Sequence, residues 1–169
     1  MKTNILRYCL LAATIILAPS CKDDKEDNKP SNNTPAPVVP LISKINGANW
    51  ASDQVVARFQ IIGGEKVITV TAASGNITMS LIAPEAVGSY NSTTTTVLSG
   101  TIVEKQATSE HMWTTENGGD ATIAITKLDR TNKKVSGTFT FTAKPMSSGT
   151  ALGDKKVTDG SFTDITIQN

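Results

Sequence analysis

The chain has 169 residues, 38% of them hydrophobic and 18% charged, with 16 Lys and Arg against 15 Asp and Glu. That length holds one domain with a core of its own, and the near-neutral balance argues against a nucleic-acid partner, which would call for a basic stripe. With only two cysteines, Cys9 and Cys21, the chain has no disulfide framework of the kind that staples small secreted domains.

Taken in order, the chain opens with Lys2 and Arg7, then an almost unbroken apolar run over 8–18, then the small residues Ala18 and Ser20 before Cys21. A bilayer span needs about 20 apolar residues, so this run is too short to be one. A charged start, a short apolar run and small residues at its end predict a secretory signal over 1–20. Cys9 would leave with that signal. Loss of Lys2 and Arg7 would move the net charge from +1 to −1.

The stretch Leu17-Ala18-Pro19-Ser20-Cys21 resembles the lipobox of bacterial lipoproteins. Ser20 fits the small residue before the Cys, whereas Ala18 stands where a larger aliphatic is usual. The resemblance implies that Cys21 carries a diacylglycerol and acyl chains such as palmitate, and becomes the first residue after cleavage. Each buried CH₂ of an acyl chain contributes about 0.8 kcal/mol, so two or three chains hold durably. Lys22-Asp23-Asp24 resembles the export signal of Bacteroidota lipoproteins, which directs them to the outer face of the outer membrane. Read physically, the same residues are a solvated charge run at the head of a linker.

Residues 21–40 read as a tether. Charges come first, then Asn and Ser, then Pro35, Pro37 and Pro40. Without an apolar period the segment cannot bury enough surface to order itself, and its prolines favour extended conformers.

From 41 to 169 a single β domain is expected. Residues 41–45 form a short strand ending at Asn46-Gly47, a strong turn signal, and Trp50 is expected to plug one end of the core. Val55, Ala57, Phe59 and Ile61 alternate with Val56, Arg58 and Gln60, placing the first set on the core face. Gly63-Gly64 separates that strand from one over 66–73. Ser74-Gly75-Asn76 leads into another over 77–83. A loop over 84–88, a short strand at Tyr90, an ambiguous run over 93–96 and a strand over 97–105 follow.

Residues 106–120 look irregular, with a possible short strand over 112–115. Strands over 121–128 and 135–143 make a hairpin about the turn 129–133. In the second of these, Val135, Gly137, Phe139, Phe141 and Ala143 alternate with Ser136, Thr138, Thr140 and Thr142, which places the hydroxyls in solvent and suits a half-buried surface. Residues 146–155 read as a loop. Asp159-Gly160 allows a turn or bulge before a strand over 162–167, whose alternation slips between Phe162 and Ile165 as a bulge would cause. No segment has a helical period. Eight to ten such strands predict an antiparallel β-sandwich, with a closed lipocalin-like barrel as the alternative.

Asn46-Gly47 with Trp50, Gly88-Ser89-Tyr90, and the stretches 121–129, 135–141 and 157–162 resemble a family of uncharacterised Bacteroidota lipoproteins with one small β domain behind a lipobox and an acidic tether. The resemblance covers most of 41–167 and implies location and fold alone.

Candidate sites are few. His111 is the only histidine. It has no second His or Cys to share a zinc ion and no Gly-x-Ser-x-Gly elbow to serve, and it reads as an exposed loop residue. Asp154, Asp159 and Asp164, or Asp129 with Asn132, lack the density of oxygens that calcium needs. Trp113 and His111, with Met112 between them, are the candidate ligand contacts, with Trp113 as a platform on which a sugar ring could stack. The competing reading closes the core with Trp113. The expectation is therefore a non-enzymatic chain with no cofactor or metal, held to the membrane by lipid on Cys21. Facing the cell exterior, it would bind an extracellular glycan or protein. The alternatives are a periplasm-facing structural or assembly component, or a small-ligand carrier if the fold is a barrel.

Overall fold

The computed structural model describes residues 41–146 and 150–168. The predicted signal, Cys21, the Lys22-Asp23-Asp24 signal and the tether lie outside the described residues, as does the centre of the predicted loop over 146–155.

Eleven strands make up the domain. They are β1 (Leu41–Ile45), β2 (Ala48–Ala51), β3 (Gln54–Ile62), β4 (Glu65–Ser74), β5 (Ile77–Pro84), β6 (Gly88–Asn91), β7 (Ser99–Lys105), β8 (Glu110–Thr114), β9 (Asp120–Asp129), β10 (Lys134–Pro145) and β11 (Lys155–Gln168). One 3-10 turn, Thr115–Asn117, follows β8, capped by the Thr114 hydroxyl and stopped by Gly118 at φ 84°.

Two antiparallel sheets face each other. The first runs β6-β9-β10-β11-β1-β2, and the second β3-β4-β5-β7-β8. They join at two corners. The end of β10 leaves β9 and pairs Lys144 and Pro145 with Thr114 and Trp113 of β8. The end of β11 pairs Ile167 and Gln168, in parallel, with Ala57 and Arg58 of β3. Strands that switch sheets at corners are how two packed sheets share one continuous ladder, and the whole is one 11-stranded hydrogen-bonded sheet in a sandwich-like all-β fold.

The two inner faces bury one core. Ile123 and Ile125 of β9, Phe139 and Phe141 of β10 and Phe162 of β11 meet Val70, Met79, Leu81 and Ile102 of the second sheet, each no more than 2% exposed. Fully burying such a side chain contributes about 1.5–3 kcal/mol. The space between the sheets is thus taken up by side chains.

The hairpin 121–143 forms as its alternation predicts, with Thr138 and Thr140 exposed and Phe139 and Phe141 buried. The Asn46-Gly47 turn forms too, with both residues at positive φ (50° and 84°) as a tight two-residue hairpin requires. Four expectations change. Trp50 lies in an unforeseen edge strand, β2, half-buried against the core rim. Ile61 stands 72% exposed, because β3 runs on past the edge of the core. His111 sits in β8 and is half-buried, where a loop was expected. Finally, Asp159-Gly160 does not start the last strand but bends it: β11 is 14 residues long and begins at Lys155.

Two bulges let β11 stay paired over that length. Between Phe139 and Phe141 two steps of β10 face three of β11, from Gly160 to Val157; between Val135 and Gly137 two steps again face three. Asp159 (φ 53°) and Asp164 (φ 49°) take the left-handed backbone at these points, a conformation that Asp tolerates better than most residues. Each is tied to another strand of the sheet, Asp159 to Lys44 of the adjacent β1 at 2.8 Å and Asp164, across β10, to Lys127 of β9 at 2.9 Å. Hydrogen bonding from Lys127, then its charge, holds the Asp164 carboxyl below the usual carboxylate range, with Ser136 adding to the effect. A depressed pKa contributes stability above the unfolded value of about 3.9 that is lost as pH falls through the folded value. NMR titration should find Asp164 protonating below a free Asp, and Lys127→Met should move it back up. An Asp164 that titrates normally in the parent chain would show that the pair does not persist in solution.

Candidate binding face of the six-stranded sheet

The pairing registers lay out the solvent face of the first sheet. One row crosses all six strands as Ser89, Ala124, Thr138, Ser161, Ile42 and Ala51. A neighbouring row carries Asn91, Thr122 and Thr140 and, beyond the Asp159 bulge, Lys44 and Asn49. The side chains of the first row are small except for Ile42, so the face is indented rather than ridged.

Two depressions result. One, about 370 Å³, is lined by Thr122, Thr138, Thr140, Ser161 and the 159–160 bulge. The other, about 410 Å³, is lined by Ile42, Ser43, Lys44, Asn49, Trp50 and Ala51. Asp159 borders both. Ile42 is 46% exposed, an apolar side chain in the middle of a polar face.

The bulge decides where Asp159 points. Val157 and Gly160 face the core, and the ladder needs one residue between them, yet two are present. The extra one is exposed on the outer face. Bulges commonly re-aim a side chain in this way. Gly160 makes the geometry possible, because a Cβ there would stand 2.5 Å from the Phe139 ring.

The sequence-predicted contacts are elsewhere. Trp113 is 3% exposed in the core. Its Nε1 donates to the Gly153 carbonyl at 2.8 Å, and the Lys155 ammonium sits 4.4 Å from its ring centre while pairing with Glu104 at 3.0 Å. That leaves no open ring face for a sugar. His111 packs edge-on to Trp113 with ring centres 6.0 Å apart, and its Nδ1 lies 3.3 Å from the Gln106 amide. The aspartates weighed as calcium ligands are occupied otherwise: Asp154 pairs with Lys144, and Asp129 accepts from the Asn132 backbone and side-chain amides at 2.8 Å each. Among the described residues no group of three or more His, Cys, Asp or Glu is placed to hold a metal ion.

A third depression, about 400 Å³, lies between two of the segments that pass from sheet to sheet, 92–98 and 115–119. Ser92 accepts from the Ala121 amide and Thr115 from the Gly100 amide, fixing these segments to the sheets. Hydroxyls and the carboxylates of Glu116 and Asp120 line it.

The sequence profile of DUF6252, a domain of unknown function, matches residues 40–166. The chain belongs to the DUF6252 family. That match takes in all eleven strands except the last two residues of β11, so the DUF6252 domain is the sandwich described above. No curated protein matches the chain. No solved structure matches it either. The DUF6252 domain thus brings no assigned site, and the face around Asp159 rests on its own geometry. Sequence reasoning placed its threonines in solvent but did not single them out. The signal available was the Asp159-Gly160 pair inside an alternating run.

Proposed function

We propose that this DUF6252 chain is a lipoprotein anchored through Cys21, carried by Lys22-Asp23-Asp24 to the outer face of the outer membrane, where it acts as a non-catalytic binding module. The observation that carries the reading is the run from Lys2 to Cys21, followed at once by a charged and proline-rich stretch that ends where β1 begins. The indented polar face around Asp159 supplies a surface suited to recognition. The filled space between the sheets lends no support to the carrier reading.

The experiment is protease shaving of intact cells, with a cleavable site engineered into 22–40 and a known periplasmic protein as control. Loss of the domain while the control survives is the expected result. Protection of the domain until the cells are opened would overturn the surface assignment and favour the periplasm-facing structural role. In parallel, Cys21→Ser should abolish incorporation of labelled palmitate and release the chain from the membrane fraction. Retention of label in that variant would refute the anchor.

A further inference from the structure

We propose that the two depressions flanking Asp159 form one site for a neutral oligosaccharide lying across the strands of the six-stranded sheet. The proposal deepens the binding-module reading and rests on it.

The dimensions suit an extended ligand. The paired depressions reach from β9 to β2, four interstrand steps of about 4.8 Å, or roughly 19 Å. A saccharide presents hydroxyls at the edges of its rings and C–H groups on their faces. The depressions divide in the same way. Thr122, Thr138, Thr140 and Ser161 give the first a set of hydroxyls that both donate and accept. Ile42 and Ala51 give the second an apolar lining, joined there by Asn49. An apolar surface with a few convergent polar groups is the usual make-up of a small-ligand site.

Charge narrows the class further. The ionic groups bordering the depressions are Lys44 and Asp159, and they neutralise each other at 2.8 Å. Such a face offers no net field to attract a sulfated or uronic-acid chain, a nucleic acid or a strongly charged peptide. It does offer a carboxylate with lone pairs to spare, the acceptor that grips a pair of neighbouring sugar hydroxyls. The fold holds that carboxylate between the depressions on a residue added to the ladder at positive φ. Exposed ion pairs contribute little to stability, so the Lys44 contact alone does not account for that backbone.

Asp159→Gly separates the two roles, because Gly keeps the left-handed backbone and the bulge while removing the carboxylate. Thr138→Lys fills the first depression from an exposed position. Thr126→Lys, exposed on β9 outside both depressions, is the control. The full chain, solubilised in a detergent without a sugar head group, is titrated calorimetrically with the neutral hexaoses of maltose, cellulose, mannan, xylan and chitin. Heparin and polygalacturonate fragments are run in parallel. The expected result is saturable binding of a neutral hexaose, weakened at least tenfold by Asp159→Gly and by Thr138→Lys and unchanged by Thr126→Lys, with all variants unfolding at parental temperatures. Binding confined to the acidic fragments, no binding of any neutral hexaose, or neutral binding indifferent to both groove variants would overturn the proposal. Display is read separately by shaving. A displayed chain that fails the titration loses this ligand assignment alone, whereas a chain protected in intact cells loses the surface reading whatever the titration shows.

Discussion

Phe141→Ala is expected to lower the unfolding free energy by about 3–5 kcal/mol, read as a shift in denaturant midpoint at constant slope. Phe141 is 2% exposed on the inner face of β10, and its ring crosses the core to lie against the backbone of Gly100 on β7. A Cβ built on Gly100 would stand 2.8 Å from that ring. The two sheets are stitched at both corners, by β10 with β8 and by β11 with β3, so they cannot close together to fill the void. The same contact predicts a coupling. Gly100→Ala alone should cost about 1–3 kcal/mol by overpacking. In the Phe141→Ala background the new methyl enters vacated space, so the double variant should be more stable than the sum of the single effects predicts. Strict additivity, or a loss below about 1 kcal/mol for Phe141→Ala, would mean that the two sheets do not meet at this contact.

Gly137→Ala should be the costliest single-methyl addition in the six-stranded sheet. An added Cβ would come within 2.4 Å of the Ala124 carbonyl oxygen on β9 and 2.5 Å of the Phe162 ring. The first neighbour is backbone in a paired ladder and cannot swing aside, and Phe162 is held by Phe139, with ring centres 6.3 Å apart. The expected loss is about 1–3 kcal/mol or more, with faster amide exchange along β9 as the ladder beside the 136–137 register shift gives way. Thr138→Ala, one residue on but exposed, should change stability by less than about 1 kcal/mol. Similar effects for the two variants would contradict the close approach of β9 and β10 at Gly137.

The strands whose two faces meet different media were legible. Along β10 every second residue is apolar, and the structure buries those and exposes Thr138 and Thr140 between them. The slip after Phe162 announced a bulge, and Asp164 stands there at positive φ. β2 was not legible, because Ala48–Ala51 is an edge strand with no residue fully buried and hence no alternation to read. Ile61 was misplaced for the converse reason: alternation predicts a face but says nothing about where the opposite sheet ends. Lys155 read as the end of a loop, and Lys156 was assigned to no element. They are strand because β10 offers them a partner, Lys155 opposite Ala143 and Lys156 opposite Thr142. Trp113 was open between two roles, and only its neighbours Gly153, Lys155 and Glu104 assign it to the core.

The candidate face divides the same way. Local sequence set each threonine toward water and put an acidic residue next to a glycine within the last alternating run, since period-two geometry and turn chemistry act over a few residues. Which strands lie side by side is set by pairing between distant segments. Ile42 comes to lie beside Ser161, and Lys44 beside the Asp159 bulge, because β1 pairs with β11 more than a hundred residues away. The sequence by itself determined that the domain is all-β, where most of its strands run and which of their faces meet solvent. Only the tertiary structure decided that six of those faces join into one indented surface with Asp159 at its centre, because that surface is built from contacts that no local pattern encodes.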